Sequence, residues 1–173
     1  MDNVYIRQMT KSDMSFFMDE CVDAAKGGRL HKDMLSPKFY KTFEKQIREI
    51  IRVNDSGKYS GHTINILVRK SDNRNIGFLW LCASQDMAYR PCIEIRIINI
   101  TKAVRGKGFG SYLLSVALDE LRAQIVTAKC YSASTQMADM LKRKGFNVMG
   151  TADSGAEYLY LAPKNPQWNG YLR

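Results

Sequence analysis

The chain has 173 residues, 45% of them apolar, with a formal net charge of +9. This is too apolar for a disordered chain and long enough for one folded domain over residues 1–173. No apolar run approaches the roughly 20 residues of a membrane span, so no membrane association is expected, and the charge favours acidic or phosphorylated partners over cationic ones.

In chain order, residues 4–7 alternate into a short strand that stops at Gln8-Met9-Thr10. Asp13 opens a helix to about Lys26, with Thr10 or Ser12 as its cap and Gly27-Gly28 ending it. Ser36-Pro37 is a cap followed by proline at the first helical position, which predicts a second helix to about Val53. Strands follow over 63–69 and 76–83, joined by the turn-rich Ser71–Asn75 as a hairpin, and over 93–101. A glycine-rich stretch then leads into a helix over 108–123. Next come a strand at 125–131, a helix at 135–144 ended by Gly145, and a closing hairpin of 146–150 with 157–161. The order β-α-α-β-β-β-α-β-α-β-β has no internal repeat and reads as an α/β (α+β) fold with helices packed on a mixed sheet.

Cys21, Cys82, Cys92 and Cys130 form no C-x-x-C pair, and the only histidines are His31 and His62. The cysteines read as buried small hydrophobes in a reducing compartment, and no metal site is expected. The first residues lack the basic-then-apolar plan of a secretory leader, which points to a cytoplasmic protein.

Residues 104–111 read Val-Arg-Gly-Lys-Gly-Phe-Gly-Ser, between a strand and a helix. Glycine permits positive φ and close approach of a ligand. A helix N-terminus offers unpaired N–H groups and a partial positive charge, and Arg105 and Lys107 add cationic donors, so this loop is a candidate phosphate cradle. It is neither a dinucleotide fingerprint, since position 111 is Ser, nor a P-loop.

At this junction the sequence resembles the GNAT N-acetyltransferases, whose loop reads R/Q-x-x-G-x-G/A; Arg105, Gly108 and Gly110 stand in those places. Gly145-Phe146 resembles the family's late Gly-Phe pair, and Tyr5–Thr10 with Asp13 resembles its opening strand and helix. The resemblance spans nearly the whole chain. It implies a single GNAT-type domain with a mixed, mostly antiparallel central sheet of about seven strands and four helices. It also implies that acetyl-coenzyme A is the acyl donor and that an amine is the acceptor. The pyrophosphate would be held by backbone N–H groups of Arg105, Gly106, Lys107, Gly108, Phe109, Gly110 and Ser111. Ile98, Asn99 and Ile100 would pair with the pantetheine arm as an added strand does. Thr135 stands near the family's asparagine in the following helix.

For catalysis, Glu94 stands six residues before Ile100, a spacing similar to that of the catalytic glutamate in the histone-acetylating branch. Strand parity puts both on one face, and the alternative for Glu94 is an ion pair with Arg96 or another cation. The tyrosine that many relatives place four residues before Gly-Phe is Leu141 here. Tyr131, Ser132 and Ser134 are the substitutes as acid for the departing thiolate.

Between Lys26 and Lys58 there are nine Lys/Arg against four Asp/Glu. Lys38, Lys41, Lys45, Arg48 and Arg52 form one stripe on the second helix, opposite Tyr40, Phe43, Ile47 and Ile50. The stripe reads either as a solvated face or as a site for acidic groups, such as an RNA backbone or an acidic acceptor. The acceptor classes in view are a protein, an aminoacyl-tRNA and a small amine. A coenzyme A-binding or RNA-binding module with little or no turnover is the alternative reading. Trp80 is expected in the core, while Trp168 and Tyr171 lie in a tail that docks on the body or joins a homodimer.

Overall fold

The structure is a computed structural model and describes residues 3–164. The tail with Trp168 and Tyr171 lies outside the described residues.

The first helical segment begins with a short 3-10 turn at Lys11–Asp13, capped by Thr10, and continues as α1 (Met14–Lys26). Asp13 is only 2% exposed yet charged, and the sequence explains how that is tolerated. Arg7 on β1 (Val4–Gln8) grips its carboxylate with two nitrogens, at 2.6 and 2.7 Å. Asn75 and the backbone and hydroxyl of Thr10 supply three more donors. Burial alone would raise the carboxyl pKa. The Arg7, Thr10 and Asn75 hydrogen bonds overcome that and hold it well below the usual range.

Helix α2 (Pro37–Asp55) takes proline at its first turn and follows a second 3-10 turn at Lys32–Leu35. Its Ile47, Ile50 and Ile51 are buried, and Lys38, Lys41, Lys45, Arg48 and Arg52 are exposed, as the spacing predicts. Strands β2 (His62–Arg69), β3 (Arg74–Gln85) and β4 (Pro91–Ile100) form an antiparallel meander, in which Asp86–Arg90 makes a β3–β4 turn not read from the sequence. Helix α3 (Phe109–Glu120), β5 (Val126–Cys130), α4 (Thr135–Arg143), β6 (Asn147–Thr151) and β7 (Glu157–Leu161) complete the order. The seven strands lie in the order β1-β2-β3-β4-β5-β7-β6, and only the β4–β5 pair is parallel.

The sheet separates two apolar clusters. On one face α1 and α2 cover Ile64, Ile66, Phe78 and Trp80, with the Phe17 ring 4.6 Å from that of Phe78 and tilted by 50°. On the other, Leu113 and Leu114 of α3 and Leu141 of α4 cover Leu79, Leu81 and Ile95. Burying each such side chain contributes about 1.5–3 kcal/mol. All four cysteines are free and buried, as read from the sequence. Among the described residues, no helix is long and apolar enough to cross a membrane.

One close approach fixes where β4 ends. A Cβ at Gly77 would sit 2.6 Å from Ile100 Cδ1 and 2.7 Å from the Asn99 carbonyl. A backbone atom cannot yield as a side chain can. Gly77→Ala is therefore expected to destabilise the fold by about 1–3 kcal/mol, read as a lower urea midpoint at unchanged slope.

Candidate functional site: a cleft between diverging strands

The parallel pairing of β4 with β5 is short. It joins Ile93, Glu94 and Ile95 to Val126, Thr127 and Ala128, and then stops. From Arg96 onward the strands part, and a cavity of about 580 Å³ opens between them. Its walls are β4 from Ile95 to Ile100, the end of β5, and the starts of α3 and α4.

A bulge in β4 sets what each residue presents. Trp80 of β3 pairs with Ile97 and Leu81 with Ile95, so Arg96 is the extra residue. Ile95 packs on the α3/α4 side; beyond the bulge Ile98 and Ile100 pack there, and Ile97 faces α1 and α2. Thr101 N donates to Ile76 O on β3. By alternation, Asn99 directs its backbone to β3, while Ile98 and Ile100 direct theirs into the cleft. Ile100 O is taken by Arg105 Nε at 2.6 Å, which clasps the loop to the strand end. The buried Asn99 side chain donates to Glu20 of α1. Of the three residues expected to pair with a ligand arm, Ile98 and Ile100 face the cleft with their backbones. Asn99 lines it but holds β4 to its neighbours.

The loop is shaped as its glycines predict. Gly106 and Gly108 have φ of 77° and 81°, a region that strains other residues. Gly108 caps α3, whose first intrahelical bond runs from Tyr112 N to Gly108 O. The N–H groups of Phe109, Gly110 and Ser111 therefore lack intrahelical partners at the cleft. Thr135 begins α4 and lines the same cavity, so two helix N-termini converge on it. Arg105, Gly106, Gly108, Phe109, Gly110 and Ser111 all line it; Lys107 is exposed and does not.

Five cations line the cavity, namely Arg29, Arg96, Arg105, Lys129 and Arg143, and no Asp or Glu does among the described residues. Four of the five escape sequence reasoning, because only the strand divergence brings them together. Arg29 follows the Gly27-Gly28 helix stop and is tied to the β5–α4 loop, where Ser134 Oγ donates to its carbonyl. Burial, and then the nearby charge of Arg105, lower its pKa. Mutual repulsion in a half-buried site favours an anionic ligand.

Glu94 does not line the cavity. The bulge breaks the simple parity: Glu94 and Ile100 lie on opposite faces of the sheet, not on one. Glu94 stands on the α1/α2 face beside the vertex of the cleft, 3.7 Å from Arg96 Nε and 3.8 Å from Cys82 Sγ. Burial pushes the Cys82 thiol up, against the pull of Arg96. Tyr131, just past β5, lies outside the cavity, with its ring 6.4 Å from that of His31. Leu141 is fully buried in the α3/α4 core. The α2 stripe is partly self-neutralised, because Arg48 pairs with Glu44 and Arg52 with Glu49.

No curated protein is similar to the chain in sequence. The fold has many solved counterparts. Ribosomal-protein-S5-alanine acetyltransferase from Vibrio fischeri superposes with a TM-score of 0.66 at 13% identity, covering 95% of this chain and 96% of that one. PaiA N-acetyltransferase from Thermoplasma acidophilum, in complex with coenzyme A, gives 0.69 at 14% identity, covering 91% and 97%. YncA from Salmonella typhimurium, with its cofactor acetyl-CoA, gives 0.69 at 16%, covering 95% of both. The profile of the acetyltransferase (GNAT) family matches residues 30–146, from Leu30 through the parted strands and the glycine loop to Phe146. The chain belongs to the GNAT acetyltransferase family.

Proposed function

We propose that the cleft binds acetyl-coenzyme A and that the protein transfers its acetyl group to an amine. The observation that carries this reading is the cavity itself: the β4 edge beyond its pairing with β5, two helix N-termini, and a lining that holds cations and, among the described residues, no carboxylate. The unpaired N–H groups of Phe109, Gly110 and Ser111, with Arg29, Arg105 and Arg143, fit the phosphates. The backbone groups of Ile98 and the N–H of Ile100 fit the pantetheine amides, and an N–H at this strand polarises the thioester carbonyl. Two of the solved counterparts hold coenzyme A or acetyl-CoA, which supports the same ligand here.

The amine attacks the carbonyl carbon, a C–N bond forms, and the carbonyl electrons move onto oxygen. The amine gives up a proton, the C–S bond breaks, and coenzyme A leaves as a thiolate. Glu94, on the sheet face opposite Ile100 and beside the vertex, is our choice for the proton acceptor. Tyr131, just past β5, is our choice of acid for the departing sulfur. Glu94→Gln is expected to lower kcat about 100-fold, the size of a general-base contribution, with acetyl-coenzyme A affinity unchanged. Unchanged kcat would exclude Glu94.

The acceptor is an amine with acidic or phosphate character. Three α2 lysines that are exposed and have no carboxylate partner among the described residues, Lys38, Lys41 and Lys45, support contact with an acidic surface or RNA. One observation favours a second reading, a coenzyme A-binding module without turnover: Glu94 is already paired with Arg96, and Leu141 is sealed in the core. Thiol release from acetyl-CoA with a panel of amines, followed by the mass of the acetylated product, tests transfer. Binding without release across acidic, peptide and RNA-linked amines would leave only the module.

A further inference from the structure

Arg96 and Lys129 are the first residues past the last β4–β5 pair, Ile95 with Ala128, one on each wall of the cleft. Both face the α1/α2 side. Arg96 does so through its contact with Trp80, 5.6 Å from the ring, and Lys129 by alternation with the buried Ala128 and Cys130. They therefore flank the mouth at the vertex, beside Glu94.

Arg96 is only partly satisfied, and Lys129 has no anionic partner among the described residues. Arg96 spends only its Nε, on Cys82 at 3.2 Å and on Glu94 at 3.7 Å; its terminal nitrogens donate to nothing among the described residues. Lys129 Nζ has no carboxylate partner there and rests between two rings, 5.5 Å from Tyr131 and 5.2 Å from Tyr158. Trp80 and the two tyrosines thus aim both cations without neutralising them. Arg29, Arg105 and Arg143, with the helix N-termini, already serve the phosphate end. The acyl end of the donor is uncharged, so two cations at the vertex, with Glu94 beside Arg96 as their one carboxylate among the described residues, exceed what the donor needs.

We propose that Arg96 and Lys129 form the acceptor's anion subsite, so that the preferred amine carries a carboxylate or phosphate a few ångströms from its nitrogen. This rests on the acetyl-coenzyme A reading above. The guanidinium offers a planar fork for the anion and Lys129 a second point charge, which orients the amine toward the thioester. Placement at the vertex makes this a choice among substrates, distinct from surface attraction by α2.

The test uses the intact protein, acetyl-CoA and acceptor pairs that differ only in charge. Phosphoethanolamine against ethanolamine and β-alanine against its amide probe small acceptors. Tripeptides starting with Asp or Asn probe peptide acceptors. The expected result is a kcat/KM at least about tenfold higher for the anionic member of one pair, the scale of a charged hydrogen bond. In Lys129→Met and Arg96→Met that ratio falls to about one. Arg96 packs on Trp80, so exposed Lys129 carries the test if the Arg96 variant fails to fold. No charge preference, or an equal loss for both members of a pair, overturns the subsite and makes the cations groups that serve the leaving sulfur. Acetyl-CoA binding without turnover of any member overturns it too. Failure to bind acetyl-CoA would instead overturn the functional reading beneath it.

Discussion

Gly110→Trp is expected to abolish acetyl-coenzyme A binding while leaving the protein folded. Gly110 stands in the first turn of α3 with ordinary backbone angles. A Cβ there meets only Ile100 Cγ1 at 3.6 Å and Met140 Sδ at 3.7 Å, which is normal contact. The indole then projects into the cavity, over the N–H groups that lack intrahelical partners. Losing two charge-assisted hydrogen bonds at about 1.5 kcal/mol each lowers affinity by at least about 100-fold. Gly108→Trp blocks the same site but adds strain at φ 81°, so Gly110 is the cleaner probe. Titration calorimetry checks the loss, and the unliganded melting temperature checks the fold. Wild-type affinity in Gly110→Trp would move the ligand out of this cleft.

Asp13→Ala is expected to produce the largest loss of stability, about 3–5 kcal/mol, the cost of breaking a buried ion pair by removing one partner. The substitution strands Arg7, Asn75 and the Thr10 amide, all of which donate to the one carboxylate. These bonds join β1, the start of α1 and β3, so the loss spreads across the α1/α2 side. Urea unfolding measures it. The wild type carries the matching pH signature. The Asp13 pKa is lower in the folded state than in the unfolded chain. Its contribution is thus complete above the unfolded value of about 3.9 and drains away as pH falls below it. Asp13→Ala should flatten that acid dependence, and a variant as acid-sensitive as the wild type would remove Asp13 from this role.

Local signals carried most of the fold. Proline at the start of α2, Gly27-Gly28 at the end of α1 and Gly145 after α4 punctuate the chain by rules that act within a few residues. The strand-to-helix glycines likewise announced the loop, because positive φ and unpaired N–H groups are properties of the loop itself. The β4 bulge was not legible. Nothing in Ile93–Ile100 marks Arg96 as the extra residue, since its cause is the pairing with β3. Strand parity failed there, and Glu94 moved to the face opposite Ile100 for that reason. The cations lining the cleft were hidden similarly. Arg29 and Lys129 are a hundred residues apart, and line one cavity only because β4 and β5 separate after Ile95. The α2 stripe shows the converse. Its outward face was read correctly, but the Glu44 and Glu49 pairs weaken two of its five charges.

Whether the parted strands and the glycine loop form a site for acetyl-coenzyme A is decided by titration calorimetry of the unaltered protein, with ATP as the competing polyanion. One acetyl-coenzyme A per chain is expected, with a dissociation constant on the order of micromolar, and much weaker binding of ATP. No binding of acetyl-coenzyme A, or ATP bound equally well, would contradict it.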